Sequence, residues 1–150
     1  MACSYPPECD DPFAESPTTE ELKLLLDTHI WIWSVADAKQ LSRRVQLELK
    51  DQNNELWLSP VSTWELLLLH AKGRITLHGN AREWVTKATA HLREAPLTHE
   101  IVALAHELPL AHQDPADHFL AATAGVLGLT LVTADHRLLG LGAIATLANR

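Results

Sequence analysis

Apolar residues in this chain fall into two kinds of run. Leu24–Leu26, Leu56–Leu58 and Leu129–Val132 are short blocks without polar alternation, the pattern of strands buried on both faces. Between them the apolar positions take helical spacing. Ile30, Trp31, Ile32, Trp33 and Val35 predict a helix directly after Asp27, and Leu41, Val45, Leu47 and Leu49 predict a second that Asn53-Asn54 ends. Ser59-Pro60 reads as N-cap and first helical residue, with Gly73 as the stop, giving a helix over VSTWELLLLHAK. A further helix is predicted near Ala81–Arg93, an extended piece at Ala95–Leu97 and a helix from Thr98 to about Glu107. Asp114-Pro115 opens another helix that Gly128 closes, and a last strand is predicted at Ala143–Ala145. Short strands separated by helices predict a parallel sheet covered on both faces, an α/β/α sandwich in one domain.

Residues 1–21 interrupt this regularity. They hold four of the eight prolines and six acidic residues with little to pack, and read as a flexible leader before a folded domain over 22–150. Both cysteines, Cys3 and Cys9, lie in that leader, where reduced thiols are expected. The first residues lack the basic-then-apolar order of a secretory signal, and no apolar run approaches the roughly 18 residues of a membrane span. A cytoplasmic protein with no membrane partner is expected. Hydrophobic residues make up 47% of the chain, enough for a sizeable core. With 12 basic and 19 acidic side chains the net charge is -7, which excludes nucleic-acid binding by broad charge attraction. A carboxylate cluster around divalent cations stays open, because bound metals reverse the local sign.

That possibility rests on four acids. Asp27 and Asp135 each follow an apolar strand, so a parallel sheet brings both to its carboxyl edge, where ligands collect in such folds. Glu65 and Asp117 lie in helices that leave or approach the same edge. Gathered in one cleft, the four would repel unless a cation joined them, and hard oxygen donors suit Mg²⁺ or Mn²⁺. Each acid also has a plainer explanation. Asp27 and Asp135 fit N-caps of the segments that follow them, Asp114 fits the N-cap before Pro115, and Asp117 fits the first helical turn, where the macrodipole favours a carboxylate. Glu65 is harder to explain away, because its helical neighbours Val61, Leu68 and Leu69 are apolar and an unpartnered acid there costs several kcal/mol.

Other constellations point nowhere definite. His106, His112 and His118 recur every six residues, which no helix face accommodates, so no zinc site is assigned. No P-loop, G-x-S-x-G or G-x-G-x-x-G is present. Trp31, Trp33, Trp57, Trp64 and Trp84 sit at apolar positions and are expected in the core rather than as platforms for bases.

The segments LLLDTHIWIW, SPVSTWEL, DPADHFLAATA and LVTAD occur in the order and context that the PIN-domain nucleases carry, and within them the sequence resembles the VapC-like toxins of type II toxin–antitoxin pairs. The resemblance covers nearly everything after Leu22. It implies a PIN-like sandwich whose acidic quartet is Asp27, Glu65, Asp117 and Asp135, with Asp114 left as a cap. It implies an endoribonuclease whose quartet holds one or two Mg²⁺ ions, with Mn²⁺ as the other candidate, to activate water against an RNA phosphate. Thr28 and Thr133 would support the acids. A cognate antitoxin and a homodimer are implied as partners. Where the resemblance calls for arginine this chain has His118, which removes a permanent charge beside the site.

Two rivals stand against the nuclease. An aspartyl phosphatase would place an acid two residues after the strand-end aspartate, where this chain has His29. A catalytically weak PIN-like module would bind RNA or protein without cutting, although it would have little use for all four acids.

Overall fold

The computed structural model describes residues 21–110 and 114–150. The leader, both cysteines and His112 therefore lie outside the described residues, apart from Glu21. The elements in chain order are β1 (Lys23–Leu26), α1 (Thr28–Ala36), a single 3₁₀ turn (Ala38–Gln40), α2 (Arg43–Lys50), β2 (Glu55–Leu58), α3 (Pro60–Ala71) and α4 (Ala81–Ala88), then β3 (Arg93–Glu94), α5 (His99–Glu107), α6 (Pro115–Leu127), β4 (Thr130–Thr133), α7 (His136–Leu139) and β5 (Thr146–Ala148). The strands pair in the order β3-β2-β1-β4-β5, every pair parallel.

Alternation along the strands builds the two outer layers. Leu24 and Leu26 of β1 face one side, where α1, α2 and α3 bring Trp31, Val45 and Leu66 against Val132 and Leu147. Leu25 and Leu131 face the other side and pack on Leu120, Ala121 and Ala124 of α6 and Leu138 of α7. The helix α5 covers α6 through Ile101 and Ala105. Both faces of β1 and β4 are thus dry, which is why these strands read as unbroken apolar blocks. Each fully buried leucine contributes about 1.5–3 kcal/mol by leaving water.

Local chemistry sets the ends of the helices. Ser59 caps α3 through its hydroxyl, which accepts from the Val61 N–H at 3.1 Å, with Pro60 as the first helical residue. Gly128 closes α6 at φ 68°, a left-handed backbone that glycine adopts without steric cost.

Four expectations shift. The first is α4, which stops at Ala88 instead of running to Arg93, because the chain must turn to start β3. The extended piece expected at Ala95–Leu97 forms its strand at Arg93–Glu94, with the Ala95 N–H still donating to the Leu58 carbonyl at 2.9 Å. The closing strand is Thr146–Ala148 and not Ala143–Ala145: pairing with β4 sets Leu147 opposite Val132, and that register buries the leucine on the core face. Finally, α2 starts at Arg43 under a Ser42 cap, and its Leu47 points to solvent. Among the described residues no helix is long and apolar enough to cross a membrane.

Candidate active site

The ladder between β1 and β4 continues one residue past the end of β1, where the Asp27 N–H donates to the Val132 carbonyl at 3.0 Å. This brings Asp27 beside Thr133, the last residue of β4. The Thr133 hydroxyl, fully buried, donates to Asp27 Oδ2 at 2.6 Å and accepts from the Asp135 N–H at 3.0 Å. One hydroxyl thus ties the two strand-end aspartates into a single geometry. The other oxygen of Asp27 accepts from the Thr28 N–H at 2.7 Å, so the residue caps α1 as well. Asp135 likewise caps α7, through the Arg137 N–H at 2.8 Å. Capping and a place in the cleft are compatible, because a carboxylate has two oxygens and the N-terminal helix dipole favours its charge.

Glu65 reaches the same edge from α3. Its Oε1 accepts from the Thr28 hydroxyl, which is also hydrogen-bonded to the buried Ser62 hydroxyl at 2.9 Å. A hydroxyl carries one hydrogen; with that of Thr28 directed to the carboxylate, the Ser62 hydrogen closes on Thr28. This chain of hydroxyls explains how an acid is accommodated on a mostly apolar helix. Ser62 was not singled out from sequence, and only its place one turn before Glu65 hinted at a role. Asp117, in the first turn of α6, is buried to 7% exposure. Asp114 caps that helix, accepting from the Ala116 N–H at 3.1 Å, as its position before Pro115 predicted.

The acids act on one another. Burial raises the Asp27 carboxyl above its ordinary 3.8, with the Asp135 charge adding to it and the hydrogen bonds from Thr133 and Thr28 opposing it. Glu65 is also raised, first by burial and then by the charges of Asp114, Asp27 and Asp117, against the lowering effect of Thr28. Arg137 answers them from the rim. Its guanidinium donates to both oxygens of Asp135, at 3.2 and 3.1 Å, and feels the charges of Asp117 and Asp114. No sequence motif announced this clamp; the arginine two residues after Asp135 was its only sign.

Among the described residues, however, no three His, Cys, Asp or Glu side chains are drawn together as a ready-made metal cage. The repulsion that raises Asp27 and Glu65 disfavours such closeness between carboxylates, and hydroxyls and Arg137 hold two of them at their present places. The donor set is nonetheless all oxygen, which fits Mg²⁺ or Mn²⁺ and does not suit a soft metal.

His118 turns away from the acids. Its Nδ1 lies 3.1 Å from the carbonyl of Ala105, so it links α6 to α5. His29, at the position where a phosphatase would keep its acid, is exposed and packs its ring at 5.8 Å from that of Trp33. One tryptophan departs from expectation: Trp31 is buried and Trp33, Trp57 and Trp84 are partly so, but Trp64 is 63% exposed.

A family model described as PIN domain matches residues 24–143. Ribonuclease VapC22 of Mycobacterium tuberculosis is 34% identical over 116 residues, covering 77% of this chain and 88% of that protein. Two solved structures share the fold. VapBC2 from Rickettsia felis, bound to a DNA fragment from its promoter, has a TM-score of 0.66 at 16% identity, over 85% of this chain and 98% of the other. A toxin-antitoxin complex from Klebsiella pneumoniae has a TM-score of 0.61 at 16% identity, with the same coverages of 85% and 98%.

Proposed function

This chain belongs to the PIN domain family, and from that premise we propose that it is a divalent-metal-dependent endoribonuclease, the toxin of a type II toxin–antitoxin pair acting in the cytoplasm. The observation that carries the reading is the convergence of Asp27, Glu65, Asp117 and Asp135 on one sheet edge, close enough for their charges to be felt by one another or by Arg137.

In this reading the four acids hold Mg²⁺ or Mn²⁺, which when bound lowers the pKa of water and neutralises charge on the scissile phosphate. Thr133 keeps Asp27 oriented, and Thr28 with Ser62 keeps Glu65 oriented, so that its carboxylate can receive a proton from the attacking water. Arg137 places a permanent positive charge at the mouth, in the part that the missing arginine at position 118 would have played. The substrate is RNA in single-stranded or looped form, whose backbone and bases are reachable.

The toxin reading adds a cognate antitoxin, with a basic side chain to neutralise the acids. Val35 and Leu47 are exposed apolar residues on α1 and α2 that support a docking face there. A homodimer completes the assembly proposed.

One set of cultures and assays tests this. Expression of the chain alone should arrest growth with discrete new RNA ends, both relieved when the product of the adjacent gene is co-expressed. The purified chain should cut RNA in Mg²⁺ or Mn²⁺, stop in EDTA and resist a zinc-specific chelator. Harmless expression together with no cleavage in either metal would leave the binding-module alternative standing instead.

A further inference from the structure

Trp64 breaks the pattern of its helix. Its neighbours on α3 bury Ser62 and Leu66 and lend Glu65 to the acidic edge, but the Trp64 ring stands in solvent and forgoes the burial that the other tryptophans obtain at least in part. Leu68, one turn later at 37% exposure, and Leu97, at 40%, continue the apolar surface. With Phe119 of α6 they line a groove of ≈ 520 Å³ between the N-terminal halves of α3 and α6. Two carboxylates, Glu65 and Asp114, also line it.

We infer that this groove is a nucleobase subsite, in which a base next to the scissile phosphate stacks on Trp64 and turns an amino edge toward Asp114. The inference rests on the nuclease reading and deepens it. Glu65 belongs both to the acidic edge and to the groove, so an RNA strand with a phosphate at that edge has its neighbouring base at the groove. An open indole face stacks on any base, which is the usual way proteins hold unpaired nucleotides. The charged groups in the lining select among bases, because a carboxylate only accepts hydrogen bonds. Adenine, cytosine and guanine each offer an exocyclic amine, whereas uracil offers one N–H flanked by two carbonyl oxygens. Asp114 is the better placed of the two for this task, since Glu65 is engaged by Thr28. The site therefore favours amino-bearing bases over uracil.

Short labelled oligo(A), oligo(C) and oligo(U) serve as probes. The parent chain should cut oligo(A) and oligo(C) faster than oligo(U). Trp64→Ala should lower kcat/KM through KM by roughly 5- to 150-fold, the range that corresponds to about 1–3 kcal/mol of stacking, and Trp64→Phe should keep most of it. Asp114→Asn keeps a side-chain cap but adds a donor, so it should narrow the gap between oligo(C) and oligo(U). All three side chains replaced are exposed, so melting temperatures should not move.

Unchanged kcat/KM and base preference in Trp64→Ala would overturn the inference. So would intact RNA kinetics accompanied by loss of a copurifying protein, which would make the groove a protein site. Fluorescence anisotropy with the Asp27→Asn chain in Mg²⁺ separates this inference from the nuclease reading. If the parent cuts none of the probes, the nuclease reading fails, yet Trp64→Ala in the Asp27→Asn background must still weaken oligo(A) binding by the same factor. Equal affinity, or no binding at all, rejects the subsite.

Discussion

Asp27→Asn and Asp117→Asn are each expected to reduce RNA cleavage on the order of 10²–10³-fold or more, the scale of losing one preorganised group that stabilises charge. Both replacements are nearly isosteric, and asparagine still caps α1 at position 27. Asp27→Asn should also melt at a higher temperature than the parent when divalent cations are chelated. Folding raises the Asp27 carboxyl above 3.8, chiefly by burying it. Between the unfolded value and the raised folded one, the native chain holds more protons than the unfolded chain, so stability falls as pH rises through that window and stays lower above it. An amide carries no such penalty. The advantage of Asp27→Asn should therefore be absent at pH below about 3.8, grow as pH rises and reach its full size above the raised value. For a chain of this length each kcal/mol relieved moves the melting temperature by about 2–4 °C. Thermal melts in EDTA across this range, together with cleavage rates in Mg²⁺, check both halves. A variant that cuts at the parent rate removes Asp27 from the site, and an advantage that shrinks toward neutral pH contradicts the burial of its charge.

Thr133→Val is the second large effect, and it touches both strand-end aspartates at once. The valine methyl replaces a fully buried hydroxyl that donates to Asp27 and accepts from the Asp135 N–H. Stability should fall by about 1–3 kcal/mol, the usual cost of leaving a buried polar group unmatched. Cleavage should fall about 10–100-fold, as when a group orienting a metal ligand is lost. The Asp27 carboxyl should rise further, since the Thr133 bond is the strongest of the effects holding it down. The conservative partner is Thr133→Ser, which keeps the hydroxyl and should recover most of the rate. If Thr133→Val and Thr133→Ser lose activity equally, packing and not the hydrogen bonds accounts for the loss.

The strands β1, β2 and β4 were legible because burial on both faces forces an unbroken apolar run, as at Leu24–Leu26. Pro60, Pro115 and Gly128 marked helix ends because backbone dihedrals and missing donors act locally. The strand-end acids Asp27 and Asp135 could be named for the same reason: parallel pairing sends both strand ends to one edge whatever the spacing between them. Tertiary structure alone decided the rest. Nothing local distinguishes Thr146–Ala148 from Ala143–Ala145 as the last strand; the register against Val132 does, through burial of Leu147. Likewise Trp64 and Trp31 sit at similar apolar positions in their helices, yet one lies open beside Glu65 and the other inside the core. Which face of a helix meets the sheet is set by packing between segments distant in sequence, and so is the reach of Thr133 to Asp27 or of Thr28 to Glu65. Composition and periodicity report what a residue prefers, whereas those contacts depend on which surfaces remain after the sheet has chosen its strand order.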